Sequence, residues 1–212
     1  MSDPYYVYFE NAKAKIDKDF FAKVAKWLLA RDCKYLSFWV KGDEVKASLD
    51  EAVERLSQGG RISFLHGRNS GLSLDYQSQL TLVSEPVNFG NNPSFTDFFI
   101  NTATHLYSEL KADRAYGTLA VYSYSAEMQD EIERPDFVSW LNIFNPDIVK
   151  AIGKEKLTRV SSSINDPLKN EVIKAYKAET LRDGSFLLVL TRYPFDTSMA
   201  MQRELRKVLY ER

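Results

Sequence analysis

Apolar and polar positions repeat along this chain with two periods, and the period changes often enough to divide it into short strands and helices of medium length. Tyr5-Tyr6-Val7-Tyr8-Phe9, aromatic and β-branched up to Glu10-Asn11, reads as a first strand. Phe20, Phe21, Val24, Trp27 and Leu28 recur at spacings of three and four, which predicts a helix of about 15 residues from near Asp17. Tyr35 to Val40 predicts a second strand, closed by Lys41-Gly42-Asp43. Ser48-Leu49-Asp50-Glu51 is a capping box, in which the serine oxygen and Glu51 each satisfy a free amide of the first turn. The helix it opens carries Leu49, Ala52, Val53 and Leu56 on one face and should end at Gly59-Gly60, where a left-handed backbone is cheap. Ile62 and Phe64, then Leu72, Leu74 and Tyr76, then Leu80 and Leu82 follow a period of two, the pattern of an antiparallel meander with one wet face.

Asn88-Phe89-Gly90-Asn91-Asn92-Pro93 is the clearest interruption. Ser94 should cap a helix through Phe95, Phe98, Phe99, Thr102, Leu106 and Leu110, followed by a strand from Tyr116 to Tyr124. From Asp136 the spacing of Phe137, Trp140, Leu141 and Phe144 predicts a helix, and Asn145-Pro146 a second short one ended by Gly153. Asp166-Pro167 repeats the cap-then-proline pattern and predicts a helix to about Lys174. Asp183-Gly184 predicts a hairpin between Tyr176 to Leu181 and Phe186 to Leu190, the second strand being apolar on both faces and therefore covered. A last helix should run from Thr197 to Tyr210 with Met201, Leu205, Val208 and Leu209 inward. Strands and helices mix without strict alternation, so the expected class is α+β, a mainly antiparallel sheet with helices packed on one face. Both halves hold strand, helix and hairpin-like pieces, as two related halves would. A single domain over residues 1–212 is expected, any sub-division falling near 88–93.

Composition narrows the function classes. With 44% hydrophobic and 27% charged residues the chain is ordinary for a globular protein. Its 28 basic and 29 acidic residues nearly cancel, which argues against nucleic acid or an anionic membrane as partner. No segment approaches the roughly 20 apolar residues of a membrane span, and the amino terminus lacks a signal-peptide pattern. Cys33 is the only cysteine, so no internal disulfide or multi-thiolate zinc site forms, and a reducing cytoplasm is the expected compartment.

Candidate chemistry is sparse. His66 and His105 form neither an HxH nor an HxxxH pattern, and P-loop, Rossmann and GxSxG signatures are missing, so no catalytic residue, metal or cofactor is expected. Cys33, with no histidine near it in sequence, reads as a small inert core or boundary residue. Gly67-Arg68-Asn69-Ser70-Gly71 could present amides and a guanidinium to an anion but is more simply a hairpin loop. An enzyme or small-ligand module would have to assemble a dispersed site around His66, Arg68 and His105. The one local charge bias is Glu127, Asp130, Glu131, Glu133 and Asp136, five carboxylates in ten residues beside Arg134. Such a run is ordinarily a solvated loop or helix start; as a partner-binding surface it would steer a basic protein.

One family resemblance emerges. Trp140-Leu141-Asn142-Ile143-Phe144, the short helix from Asn145-Pro146 to Gly153, and then Asp183-Gly184-Ser185-Phe186-Leu187-Leu188-Val189-Leu190 resemble a pattern in bacterial polymorphic-toxin immunity proteins, most closely the immunity protein 52 family. The likeness covers the last third of the chain, and Trp140, Leu141, Phe144 and Gly153 are its structural markers. It implies a cytoplasmic, non-enzymatic protein that neutralises a cognate toxin by binding it.

Overall fold

The computed structural model of the chain describes residues 4–119 and 136–210. The class is α+β, and every described strand pairs antiparallel. Two compact units, Met1–Ala112 and Asp113–Arg212, make up the chain. Residues 88–91, at the interruption read from the sequence, lie within a short helix of the first unit.

The first unit contains β1 (Tyr5–Glu10), α1 (Lys18–Leu29), β2 (Cys33–Val40), β3 (Asp43–Val45), α2 (Leu49–Leu56), β4 (Gly60–His66), β5 (Ser70–Tyr76), β6 (Leu80–Ser84), α3 (Pro86–Asn91) and α4 (Pro93–Leu110). Its strands lie in the order β1-β6-β5-β4-β2-β3. The period of two is visible directly: Val7, Phe9, Ile62, Phe64, Leu72, Leu74, Leu80 and Leu82 are buried, while their neighbours Tyr6, Tyr8, Arg61, Ser63, Ser73, Asp75 and Thr81 are half-buried. Aromatic edges knit this core, with Phe21 against Tyr76 and Phe89 against Tyr5, Phe95 and Phe99. The helix starts follow the sequence chemistry. Asp17 accepts from the amides of Asp19 and Phe20, and Ser48 and Glu51 form the complete capping box. Asn92 rather than Ser94 caps α4: its side chain takes the Ser94 amide, and Pro93 sits at the first helical position, where a missing N–H costs nothing.

The second unit contains β7 (Arg114–Leu119), β8 (Leu141–Phe144), α5 (Pro146–Ile152), α6 (Lys154–Ser162), β9 (Ile164–Asp166), β10 (Glu171–Ile173), β11 (Lys177–Thr180), β12 (Phe186–Val189) and α7 (Met199–Tyr210). Its sheet runs β7-β8-β12-β11, and β9 and β10 form a separate hairpin. Phe144, Leu157, Val160, Ile164, Phe186, Leu188, Met201 and Leu205 share one core cluster.

Three expectations are corrected here. Residues 137–144 are not helical: 141–144 form strand β8, buried at every position between β7 and β12, so their apolar run satisfies two faces of a sheet rather than one face of a helix. Asp166-Pro167 opens a turn instead of a helix; Asp166 Oδ1 does accept an amide, that of Leu168, but Asn170 at φ 51° reverses the chain into β10. Val208 on α7 is 47% exposed, while Met201, Leu205 and Leu209 are buried as the helical period requires. Helix α6 follows Gly153 directly and has no side-chain cap. Among the described residues no helix is long and apolar enough to cross a membrane.

Candidate functional site

The open side of the first unit's sheet carries the most distinctive constellation. Register places Trp39 opposite Arg61, Arg61 opposite Asp75, Asp75 opposite Thr81 and Thr81 opposite Tyr8, so five strands contribute one residue each to a single row. At the usual strand spacing the row is about 19 Å long. Ser37, Ser63, Ser73, Val83 and Tyr6 form the adjacent row by the same registers. Arg61 Nε and Nη2 both donate to Asp75 Oδ2, at 2.9 and 2.6 Å. Burial opposes the charge on Arg61, but attraction and hydrogen bonding from Asp75, with a smaller share from Tyr6, overcome it and hold the guanidinium above its ordinary value. Ser63 and Ser73 hydroxyls meet at 2.9 Å, the Trp39 indole N–H donates to Ser37 Oγ, and the rings of Tyr6 and Tyr8 stack at 5.9 Å.

A cleft of about 550 Å³ lies over this face between Trp39, Lys41, Arg61, Ser63, Ser73, Asp75, Gln77 and Glu85. A second hollow of about 220 Å³, lined by Tyr6, Tyr8, Ser78, Gln79 and Thr81, shares Asp75 and Gln77 with it. Gly60 makes the cleft wall possible: at φ +147°, a Cβ there would lie 2.7 Å from the Trp39 carbonyl oxygen and 2.9 Å from the Phe38 ring. Tryptophan and tyrosine rings and an arginine guanidinium are the residue types that most often carry binding energy at protein interfaces, and here they stand on a rigid sheet. Each strand's alternation was legible in the sequence; the row was not, because it depends on pairing between strands far apart in the chain.

The two histidines and the cysteine serve the packing of the same unit. His66 Nδ1 lies 3.1 Å from the Arg31 carbonyl oxygen, a contact that needs the proton on that nitrogen, and its ring stacks on Phe98 at 3.8 Å. Cys33 Sγ is 3.9 Å from the same nitrogen, a neighbour the sequence did not reveal. An N–H already given to a carbonyl cannot take the thiol's proton, and burial, with Asp32 adding, pushes the Cys33 thiol up to about 12. His105 lies flat on Trp27, ring centroids 4.2 Å apart, and the Arg31 guanidinium carbon sits 3.9 Å from the Trp27 centroid. Two planar groups that close occupy opposite faces, so Trp27 is sandwiched. Arg68 is exposed on the β4–β5 turn. The dispersed set His66, Arg68 and His105 is thus not gathered: each imidazole is committed to a ring stack, and Phe98 and His105 stand two turns, about 10 Å, apart along α4.

His105 makes a testable contribution to stability. Burial lowers its pKa from the ordinary 6.5, Arg31 and Lys23 lower it further, and Glu109 opposes them. The folded protein therefore binds the proton less readily than the unfolded chain. Stability is fullest above about pH 6.5 and is lost as pH falls from there through the folded value. The urea midpoint should fall between pH 7.5 and pH 5.5, and His105→Phe should flatten that slope; an equal slope in the variant would remove His105 as its cause.

In the second unit Trp140, Leu141 and Phe144 are buried, and the Trp140 indole N–H donates to the Thr191 carbonyl at 2.8 Å. Gly153 ends α5 at φ +95°. Of the acidic stretch, Glu127, Asp130, Glu131 and Glu133 lie outside the described residues. Asp136 lies within them and pairs with Arg206 at 2.6 Å.

No family model matches the sequence, and no curated protein matches it. In fold the chain is similar to Pseudomonas aeruginosa T6SS protein PA0821, with 13% identity and a TM-score of 0.49 over 98% of this chain and 72% of that one. It is also similar to a chain in the complex of the toxic C-terminal tip of CdiA from Pseudomonas aeruginosa with its immune protein, with 13% identity and a TM-score of 0.35 over 58% of this chain and 90% of that one.

Proposed function

We propose that this chain is an immunity-type protein that acts in the cytoplasm, binding a cognate bacterial toxin and neutralising it by contact rather than by chemistry. The observation that carries the reading is the relation between the two stretches that resemble immunity proteins. Leu141–Phe144 and Phe186–Val189 are far apart in sequence yet are adjacent antiparallel strands, with Phe144 opposite Phe186 and Leu141 opposite Val189. Gly184, which turns β11 into β12, lies against Pro146 at the start of α5, close enough that a Cβ there would touch the proline ring at 3.7 Å. The resembling pieces therefore form one structural unit, as an inherited motif would. The Trp39-to-Tyr8 row supplies a contact surface of suitable residue types.

Co-expression tests the reading. Cells producing the product of the neighbouring gene should grow only when this chain is made with it, and the two proteins should co-purify. Equal growth inhibition with and without this chain would remove the reading. The acidic stretch has its own test. If Glu131 and Glu133 steer a basic toxin, replacing both by lysine should slow association about tenfold or more at low salt, an effect that shrinks as salt rises. Unchanged association kinetics would exclude that stretch from the interface and leave the immunity reading standing.

A further inference from the structure

The cleft over the open face of the first unit's sheet has a chemical character that fits one class of small ligand. Its floor is β4 and β5, each paired on both sides, so their peptide groups are used within the sheet and recognition falls to side chains. Among the described residues no aliphatic side chain lines it, and the Trp39 ring is its one large apolar surface. The Trp39 N–H, given to Ser37 Oγ at 2.8 Å, holds that ring in place. The lining charges cancel, Lys41 and Arg61 against Asp75 and Glu85. Hydrogen-bonding capacity is left over in both directions. Arg61 carries five N–H groups. Two go to Asp75 Oδ2 and one is shared with the Tyr6 hydroxyl, which leaves two. Asp75 Oδ1 accepts no hydrogen bond from the described residues. The hydroxyls of Ser63 and Ser73 need one proton for their mutual bond and keep the other. The Gln77 amide is exposed and adds donors and an acceptor.

We propose that this cleft binds a neutral oligosaccharide, one sugar ring lying on Trp39 and its hydroxyls bridging Arg61, Asp75 and Gln77. A hydroxyl both gives and accepts a hydrogen bond, which matches a wall with donors and acceptors to spare. The C–H groups on one face of a pyranose carry slight positive charge and suit the negative face of an indole. Ionic ligands are disfavoured by the same wall. An anion would compete with Asp75 for Arg61, and a cation would compete with Arg61 for Asp75, so either would leave half of a partly buried pair uncompensated. At about 550 Å³ the cleft is in the size range of small-ligand sites. It continues past Asp75 and Gln77 into the hollow of about 220 Å³, so the ligand is longer than one ring. Such binding goes beyond the immunity reading and does not depend on it.

Titration of the isotope-labelled full chain with maltotriose, cellotriose and triacetylchitotriose, read at the indole N–H signals in nuclear magnetic resonance spectra, tests the proposal. The chain has three tryptophans, and Trp39→Phe removes one signal and so assigns it. At least one trisaccharide should shift the Trp39 signal saturably with a Kd of about 1 mM or tighter, and leave the Trp140 signal in place. The affinity should be equal at low and high salt. Trigalacturonate, an anionic trisaccharide, should bind about tenfold or more weakly. Gln77→Ala, at an exposed position that folding does not depend on, should weaken binding about threefold or more, and replacing Arg61 and Asp75 together by alanine about tenfold or more. No shift with any of the three, equal affinity for trigalacturonate, or full affinity in both variants would each overturn the proposal. The first of these outcomes, found together with weaker toxin binding by Trp39→Ala, would give the face to the protein partner alone.

Discussion

Trp140→Ala should lower the free energy of unfolding by about 3–5 kcal/mol. The side chain is 1% exposed, so truncation leaves a void that close-packed neighbours cannot refill. It also removes the donor to the Thr191 carbonyl. Trp140→Phe separates the two contributions: most of the apolar volume stays, the hydrogen bond goes, and a loss of about 1–2 kcal/mol is expected. The Trp140 backbone carbonyl, which holds the Leu190 amide, is untouched in both variants. Urea unfolding followed by far-UV circular dichroism is the measurement, since fluorescence would change with the tryptophan itself. A cost below about 1 kcal/mol for alanine would mean that the Trp140 site collapses freely, and it would not then anchor the resembling segment.

Trp39→Ala and Tyr8→Ala should each weaken binding to the cognate toxin about 30-fold or more, with smaller effects on unfolding. These residues stand at the two ends of the cross-sheet row, so a partner lying along it would meet both. The middle of the row needs a different experiment. Arg61→Ala alone would strand the Asp75 carboxylate, whose side chain is only 15% exposed, and would confuse folding with binding. Replacing Arg61 and Asp75 together by alanine removes the pair without leaving an orphan charge. Calorimetric titration with the toxin domain identified by co-expression gives the affinities. Unchanged values for both end variants would move the interface elsewhere.

Local chemistry was legible where it acts through neighbours in sequence. Ser48 with Glu51, Asp17 before α1 and Asn145 before Pro146 announce helix starts because each cap reaches an amide only two or three residues away. Asp183-Gly184 announces its hairpin for the same reason: Asp183 accepts the Ser185 amide, and Gly184 takes φ +87°. The misreadings arose where a short apolar run fits either period. Residues 141–144 are too few to distinguish helix from strand, and burial between two other strands decided the outcome. Asp166 made the expected local bond yet did not start a helix, since the pairing of β9 with β10 outweighed it.

The candidate site was less legible still. His66 and Cys33 meet because β2 and β4 pair in a particular register, and the Trp39-Arg61-Asp75-Thr81-Tyr8 row exists only once five strands are aligned. Sequence alternation gave the wet face of each strand. It carried no information on which strand lies beside which.

The burial of Cys33 has a practical consequence for measuring partner binding. With burial pushing its thiol up to about 12, Cys33 stays protonated at pH 8, and that sulfur is shielded from reagents. The native chain should therefore be nearly silent toward maleimides. A cysteine introduced at Ser78, exposed beside the Tyr6 and Tyr8 hollow, would take a fluorophore at one position without removal of Cys33. Such a label would report directly on whether a partner covers the open face of the sheet.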